Sequence, residues 1–273
     1  LPGELHTQAL TLACEIKNVN DHVRSLSGLI PYLNETMKSQ AIATIGKIND
    51  EKIRVQALND LISKISDEQK EQVFQLAQNV SDVGLRTLIF SKLLTSISEE
   101  DRTTVVPQIL ASLPNIQDDD LLIVVLYELI KLVPVEDLLK YTDGIKNNRR
   151  RVGALSRITL GQPLEKKLPF LVEAYSIACK IQDEREQAEA LAQLAHYLPD
   201  NLKSQALDKG LSVARSLEDV TERVGVMTTL AKRLSSESRL RVLEEVLTDI
   251  RQIHPEYKRA EMLSYTLSDI SKE

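Results

Sequence analysis

At 273 residues the chain can bury a sizeable core as one large domain or two ordinary ones. Aromatic residues supply only 4% and Trp is absent, so the apolar content rests on Leu, Ile, Val and Ala; nine glycines and nine prolines are too few for an all-β chain. The formal net charge of −6 gives long-range attraction to a nucleic-acid backbone the wrong sign.

The N-terminus carries no basic, apolar, small-residue leader, and the first residue is Leu1, not Met, which reads as an excised fragment or processed product. The longest apolar run, at 121–133, contains Glu128 and Lys131 and falls short of the roughly 18 residues that a bilayer crossing needs, so no membrane span is expected. Cys14 and Cys179 lie five repeat units apart and are expected to stay unpaired, as in the reducing cytoplasm.

Read in order, the chain repeats one phrase eight times. A first helix with Leu10 and Ile16 precedes a second with His22, Leu26, Leu29 and Leu33. The next unit has Ile42 and Ile48, then Arg54, Leu58, Leu61 and Ile65; the third has Phe74 and Val80, then Arg86, Phe90, Leu93 and Ile97. The fourth follows with Leu110 and Ile116, then Leu122, Leu126, Leu129 and Val133, and the fifth with Leu139 and Ile145, then Arg151, Leu155, Ile158 and Gln162. The sixth has Tyr175 and Ile181, then Gln187, Leu191, Leu194 and Leu198. Leu211 and Leu217, then Arg223, Met227, Leu230 and Leu234, make the seventh; Leu247 and Ile253, then Arg259, Leu263, Thr266 and Ile270, make the eighth.

With the first residue of each second set as position zero, the others fall at −12, −6, +4, +7 and +11, and successive zeros are 32, 32, 36, 29, 36, 36 and 36 residues apart. Steps of four, three and four draw a stripe along an α-helix, so each second helix is amphipathic. At −4 stand Asn18, Asp50, Asp82, Asp118, Asn147, Asp183 and Asp219, then Pro255, so seven second helices are expected to start on an Asx cap. Asp50/Arg54, Asp82/Arg86 and Asp219/Arg223 also have the spacing of one-turn ion pairs.

The fifth unit is the shortest and holds Gly144, Gly153, Gly161 and Pro163, together with the basic run KNNRRR at 146–151, followed by Lys166 and Lys167. Residues 1–140 carry 13 basic and 20 acidic side chains, and 141–273 carry 21 and 20, so within a single array over 1–273 this unit reads as a bend, a looser joint or a boundary between subarrays 1–140 and 141–273. The apolar helix at 121–133 is expected to be more fully buried than its siblings, with an exposed partner patch as the alternative.

Paired helices with Asp in the intervening turn, Arg on the second helix and aliphatic stripes resemble the HEAT-repeat superfamily over nearly the whole chain. The stretch YLPDNLKSQALDKGLSVARSLED is also similar in style to the helical sensor arrays of bacterial signalling ATPases. The resemblance implies an all-α fold, an α-solenoid of about eight two-helix HEAT-like repeats in a right-handed superhelix. Thin stacked layers suit the aliphatic composition.

Phosphate loops, dinucleotide fingerprints, H-E-x-x-H and C-x-x-C are all absent, and His6, His22, His196 and His254 show no ligand spacing, so no catalytic residue, cofactor or metal is expected. The acid pairs Glu99/Glu100 and Glu244/Glu245 read as the wet faces of helices. The expected function is a non-enzymatic scaffold or sensor arm that binds a protein or peptide partner, with Arg149, Arg150 and Arg151 as the candidate contact. Two rivals share the architecture: an enzyme similar to the HEAT-like phycobilin lyases, and a HEAT-like nucleic-acid binder, against which the net charge argues. The sequence carries no signal for oligomeric state.

Overall fold

A computed structural model describes residues 3–270, with side chains described as far as residue 268; Leu1 and the side chain of Ile270 lie outside the described residues. Among these residues there are sixteen α-helices and four short 3-10 segments and no strand. No described helix is long and apolar enough to cross a membrane. The chain divides between Pro134 and Val135 into two compact units, so the join suggested at 140/141 falls inside the second of them.

In the first unit the helices are α1 Gly3–Glu15, α2 Val19–Leu29, α3 Glu35–Gly46, α4 Glu51–Leu61, α5 Asp67–Gln78, α6 Val83–Leu93, α7 Glu99–Ser112 and α8 Asp119–Leu129. α2 packs on α4, α4 on α6 and α6 on α8, while α1 touches α3 and α3 touches α5. The second unit holds α9 Val135–Leu139, α10 Asn148–Ile158, α11 Leu164–Cys179, α12 Glu184–Leu194, α13 Asp200–Ser216, α14 Val220–Ala231, α15 Ser236–Ile250 and α16 Glu256–Ile270. There α10 packs on α12, α12 on α14 and α14 on α16. The even-numbered helices are the second helices of the sequence repeat.

All seven Asx residues cap those helices. Asn18 accepts from Asp21 N at 3.1 Å, Asp50 from Ile53 N at 3.0 Å, Asp82 from Leu85 N at 2.8 Å and Asn147 from Arg150 N at 2.9 Å. Asp183 accepts from Glu186 N at 2.7 Å, and Asp118 and Asp219 each accept from two N–H groups. Each cap stabilises by roughly 1 kcal/mol. In the eighth unit Pro255, joined to His254 by a cis peptide bond, precedes α16.

The arginines at position zero turn away from these caps. Arg54 Nη1 donates to Ile48 O at 2.5 Å, Arg86 Nη1 to Val80 O at 2.6 Å and Arg223 Nη1 to Leu217 O at 2.5 Å. His22 Nδ1 donates to Ile16 O at 3.2 Å, and Gln187 Nε2 reaches Cys179 O at 2.8 Å. In four units the acceptor is therefore the −6 carbonyl, just past the end of the first helix, where backbone acceptors lack helical partners and a cation is favoured. The capping carboxylate is already occupied by backbone N–H groups, so the expected Asp–Arg pair gives way to this clasp.

A second row of caps opens the first helices. At +12, Asn34 accepts from Met37 N at 2.9 Å and Ser98 Oγ from Asp101 N at 3.0 Å, while Ser66 N donates to Gln69 Oε1 at 3.1 Å. Pro163 and Pro199 hold the same place before α11 and α13, and Ser235 before α15. The buried Gln69 also donates to Glu35 O at 3.1 Å and Glu35 Oε2 at 2.7 Å, fastening α5 to α3.

The second-helix stripes are buried where expected, apart from half-buried Leu29, Gln162, Leu234 and Leu263. The first-helix stripe at −12 is buried at Leu10, Ile42, Phe74, Leu139 and Leu211 but not in the other three units. Leu247 is 42% exposed, and Leu110 and Tyr175 are only half-buried, whereas Ala41, Val73, Ile109, Leu138, Ala174, Gly210 and Val246, one residue earlier at −13, are buried. Position −9 is buried in all eight units, by Ala13, Ile45, Ala77, Leu113, Thr142, Ala178, Ala214 and Ile250. Steps of four and three from −13 through −9 to −6 complete the buried stripe, which −12 widens in five units. In α8, Leu122, Val125, Leu126 and Leu129 are buried and Val124 stays 38% exposed.

The fifth unit is short because its first helix is a single turn, α9, continued by the 3-10 segment Lys140–Gly144. After α10 the chain turns at Gly161, whose φ of 91° lies where a side chain would clash.

One cross-link joins successive turns. Glu51, in the first turn of α4, accepts from Ser81 N at 2.9 Å and Asp82 N at 2.8 Å, the loop that leads into α6. Those backbone hydrogen bonds, Ser81 first and then Asp82, hold the Glu51 carboxyl below its usual value of 4.5. A depressed carboxyl contributes stability above its unfolded-state pKa and loses it as pH falls through the folded value. The gap in thermal midpoint between the native chain and Glu51→Gln is therefore expected to be widest near neutral pH and to narrow as pH drops through 4.5; a constant gap would show that the charge plays no part.

The eighth unit, where −12 is exposed, gives a second test. Val246→Ala, at a fully buried site, is expected to cost about 2 kcal/mol in denaturant unfolding, whereas Leu247→Ala costs less than about 0.5 kcal/mol.

Candidate functional site

Positions −2, +2, +6 and +10 of a second helix lie four residues apart and so share one face. In the second unit these rows line an open groove of about 610 Å³. Arg149, Arg185 and Thr221 stand at −2, Glu189 and Gly225 at +2, Gln193, Thr229 and Tyr265 at +6, and Arg233 at +10; Glu222 adds a carboxylate at −1. Ala192 and Val226 supply apolar floor.

Its charges form a zigzag across three helices. Arg149 Nη2 of α10 lies 2.8 Å from Glu189 Oε2 of α12, and Arg185 of α12 meets Glu189 Oε1 at 3.1 Å and Glu222 Oε1 of α14 at 2.8 Å. Hydrogen bonds to Glu189 and then Glu222 raise the pKa of Arg185, so the guanidinium keeps its charge. Exposed pairs of this kind contribute at most about 1 kcal/mol each. Their larger effect is positional, because Glu189 is held between two guanidinium groups and Glu222 is tied to one of them. Beyond the zigzag, Arg233 Nη1 lies 3.4 Å from His196 Nδ1, which accepts from it.

The three arginines of the basic run go to different places. Arg149 enters the groove. Arg151 is drawn to Asp143 and to Glu173 of α11, the latter at 2.7 Å, and Arg150 is exposed at the start of α10. The run is thus not one patch, and the groove gathers one of its members with Arg185 and Arg233, which a scan for charge runs passes over. Rows read at spacing four across repeats are the signal that finds them.

The first unit has a groove of about 570 Å³ on the same helical rows. Asp60, Lys92 and Glu128 line it from +6 of α4, α6 and α8, with Lys64 and Ser96 at +10.

The other chemical candidates resolve into structure. Among the described residues no group of three His, Cys, Asp or Glu could hold a metal ion. Glu99 pairs with Arg102 at 3.0 Å and Glu245 with Arg215 at 2.8 Å, and Lys166 lies 3.4 Å from Glu136. Cys14 and Cys179 are free thiols, and burial, followed by a hydrogen bond with Cys179, raises the pKa of the Tyr175 hydroxyl.

No protein-family model matches the chain, and no curated protein is significantly similar to it.

Proposed function

We propose that the chain is a helical-repeat binding array of the α-solenoid kind, similar to HEAT repeats, that serves as a non-enzymatic scaffold or as a regulatory arm of a larger protein. Each compact unit stacks helix pairs and offers the polar face of its second helices to a protein partner. Neighbour-to-neighbour packing of α10, α12, α14 and α16 supports the stacked reading. Free thiols at Cys14 and Cys179 favour a reducing compartment such as the cytoplasm.

The observation that carries the reading is the groove of the second unit, in which consecutive repeats deliver polar side chains from equivalent positions to one open surface. Recognition distributed over repeats is the use to which such a surface is suited. Four of its five charged side chains are engaged with one another, which favours docking of a preformed surface over chemistry at a single atom.

Display selection of peptides against the chain tests this. Gly225→Trp, which fills the groove, is expected to weaken the selected peptides by at least about tenfold, whereas Lys209→Trp, on the exposed face of α13, leaves them unchanged. A selection whose binders ignore Gly225→Trp, or which yields none, would remove the reading.

A further inference from the structure

Gly225 lies in the interior of α14, where glycine costs about 1 kcal/mol relative to alanine. Neither common reason for such a residue applies. Its φ is not positive, and a Cβ built on it would meet nothing within 4 Å. What the glycine provides is bare backbone on the groove floor, beside the charged zigzag. A strand of chain could approach that backbone closely.

The electrostatics say which kind of strand. Three arginines line the groove against two glutamates. Glu189 is shared by Arg149 and Arg185, and Glu222 is engaged by Arg185, so both carboxylates are committed. Among the described residues Arg233, exposed at the far end, has an imidazole nitrogen as its partner and no carboxylate, which leaves most of its donor fork unused. A basic segment would have to break existing pairs to find an acid. An acidic one finds Arg233 without breaking any.

Resting on the groove reading above, we infer that the occupant is an acidic peptide segment of a partner protein, extended across α14 at Gly225, with a carboxylate on the Arg233 guanidinium. Charge-assisted bonds to a planar fork suit a carboxylate. One guanidinium without a carboxylate partner suits an isolated acidic side chain better than the continuous charge of a nucleic-acid strand.

The test uses the whole chain and three fluorescent peptide pools of about twelve residues, roughly 40 Å when extended, with randomised positions interspersed among Asp/Glu, Asn/Gln or Lys/Arg. An oligothymidylate of equal length is the fourth probe. The acidic pool is expected to bind about tenfold or more tighter than its amide counterpart, to weaken by a similar factor in Arg233→Ala, and to lose binding in Gly225→Trp. Circular dichroism confirms that both variants keep their helices. Amide or basic pools binding as well as the acidic one, tighter binding of oligothymidylate, or indifference to Arg233→Ala would overturn the acidic occupant. If the amide or basic pool still responds to Gly225→Trp, the groove survives as a binding face and only its charge preference is wrong. If no pool responds to Gly225→Trp, the acidic occupant falls, and peptides from the display selection then decide whether the groove reading falls with it.

Discussion

Every second helix has to begin within a few residues of the end of the helix before it, and both ends leave backbone groups without helical partners. The turn meets this constraint with two side chains one helical turn apart. The residue at −4 accepts the free N–H groups of the new helix, and in four units the residue at zero donates to a carbonyl left by the old one. Because the clasp spans only six residues, it forms within a single turn and needs no distant contact. The relative placement of the two apolar stripes, and so the surface that each pair offers its neighbours, follows from it.

The second helices were the most legible part of the chain, since Leu, Ile, Val and Met recur on them at three and four residues and the Asx caps mark their starts. The first helices were less legible for a physical reason. Their buried stripe uses Ala41, Ala77, Ala174, Ala178, Gly210 and Ala214, small residues that permit close approach between helices and carry little hydrophobic signal. Larger neighbours such as Leu247 then dominate a reading by apolarity even where they face solvent. The clasp was hidden differently: Asp and Arg four apart suggest a pair on one helix face, and nothing local announces that the carboxylate is already filled by amide hydrogens.

The candidate groove was half legible. The fifth unit and its arginines drew attention through charge, yet only Arg149 faces the groove, because neighbouring residues on a helix point about 100° apart. Arg185 and Arg233 belong to the same surface by repeat position and not by proximity in the chain. Gly225 could not be distinguished from a packing glycine until the space above it was known.

The residues that open the first helices are of two chemical kinds. Asn34, Ser66 and Ser98 work by hydrogen bonding in the folded turn, whereas Pro163 and Pro199 sit at φ of −54° and −65°, close to the angle their rings impose anyway. A proline there narrows what the denatured chain can explore, so its benefit is entropic and exists before any turn has formed. The same architectural joint is thus secured by bond formation before α3, α5 and α7 and by prior restraint of the loose polymer before α11 and α13, and the latter contribution does not depend on hydrogen bonds with which a solvent can compete.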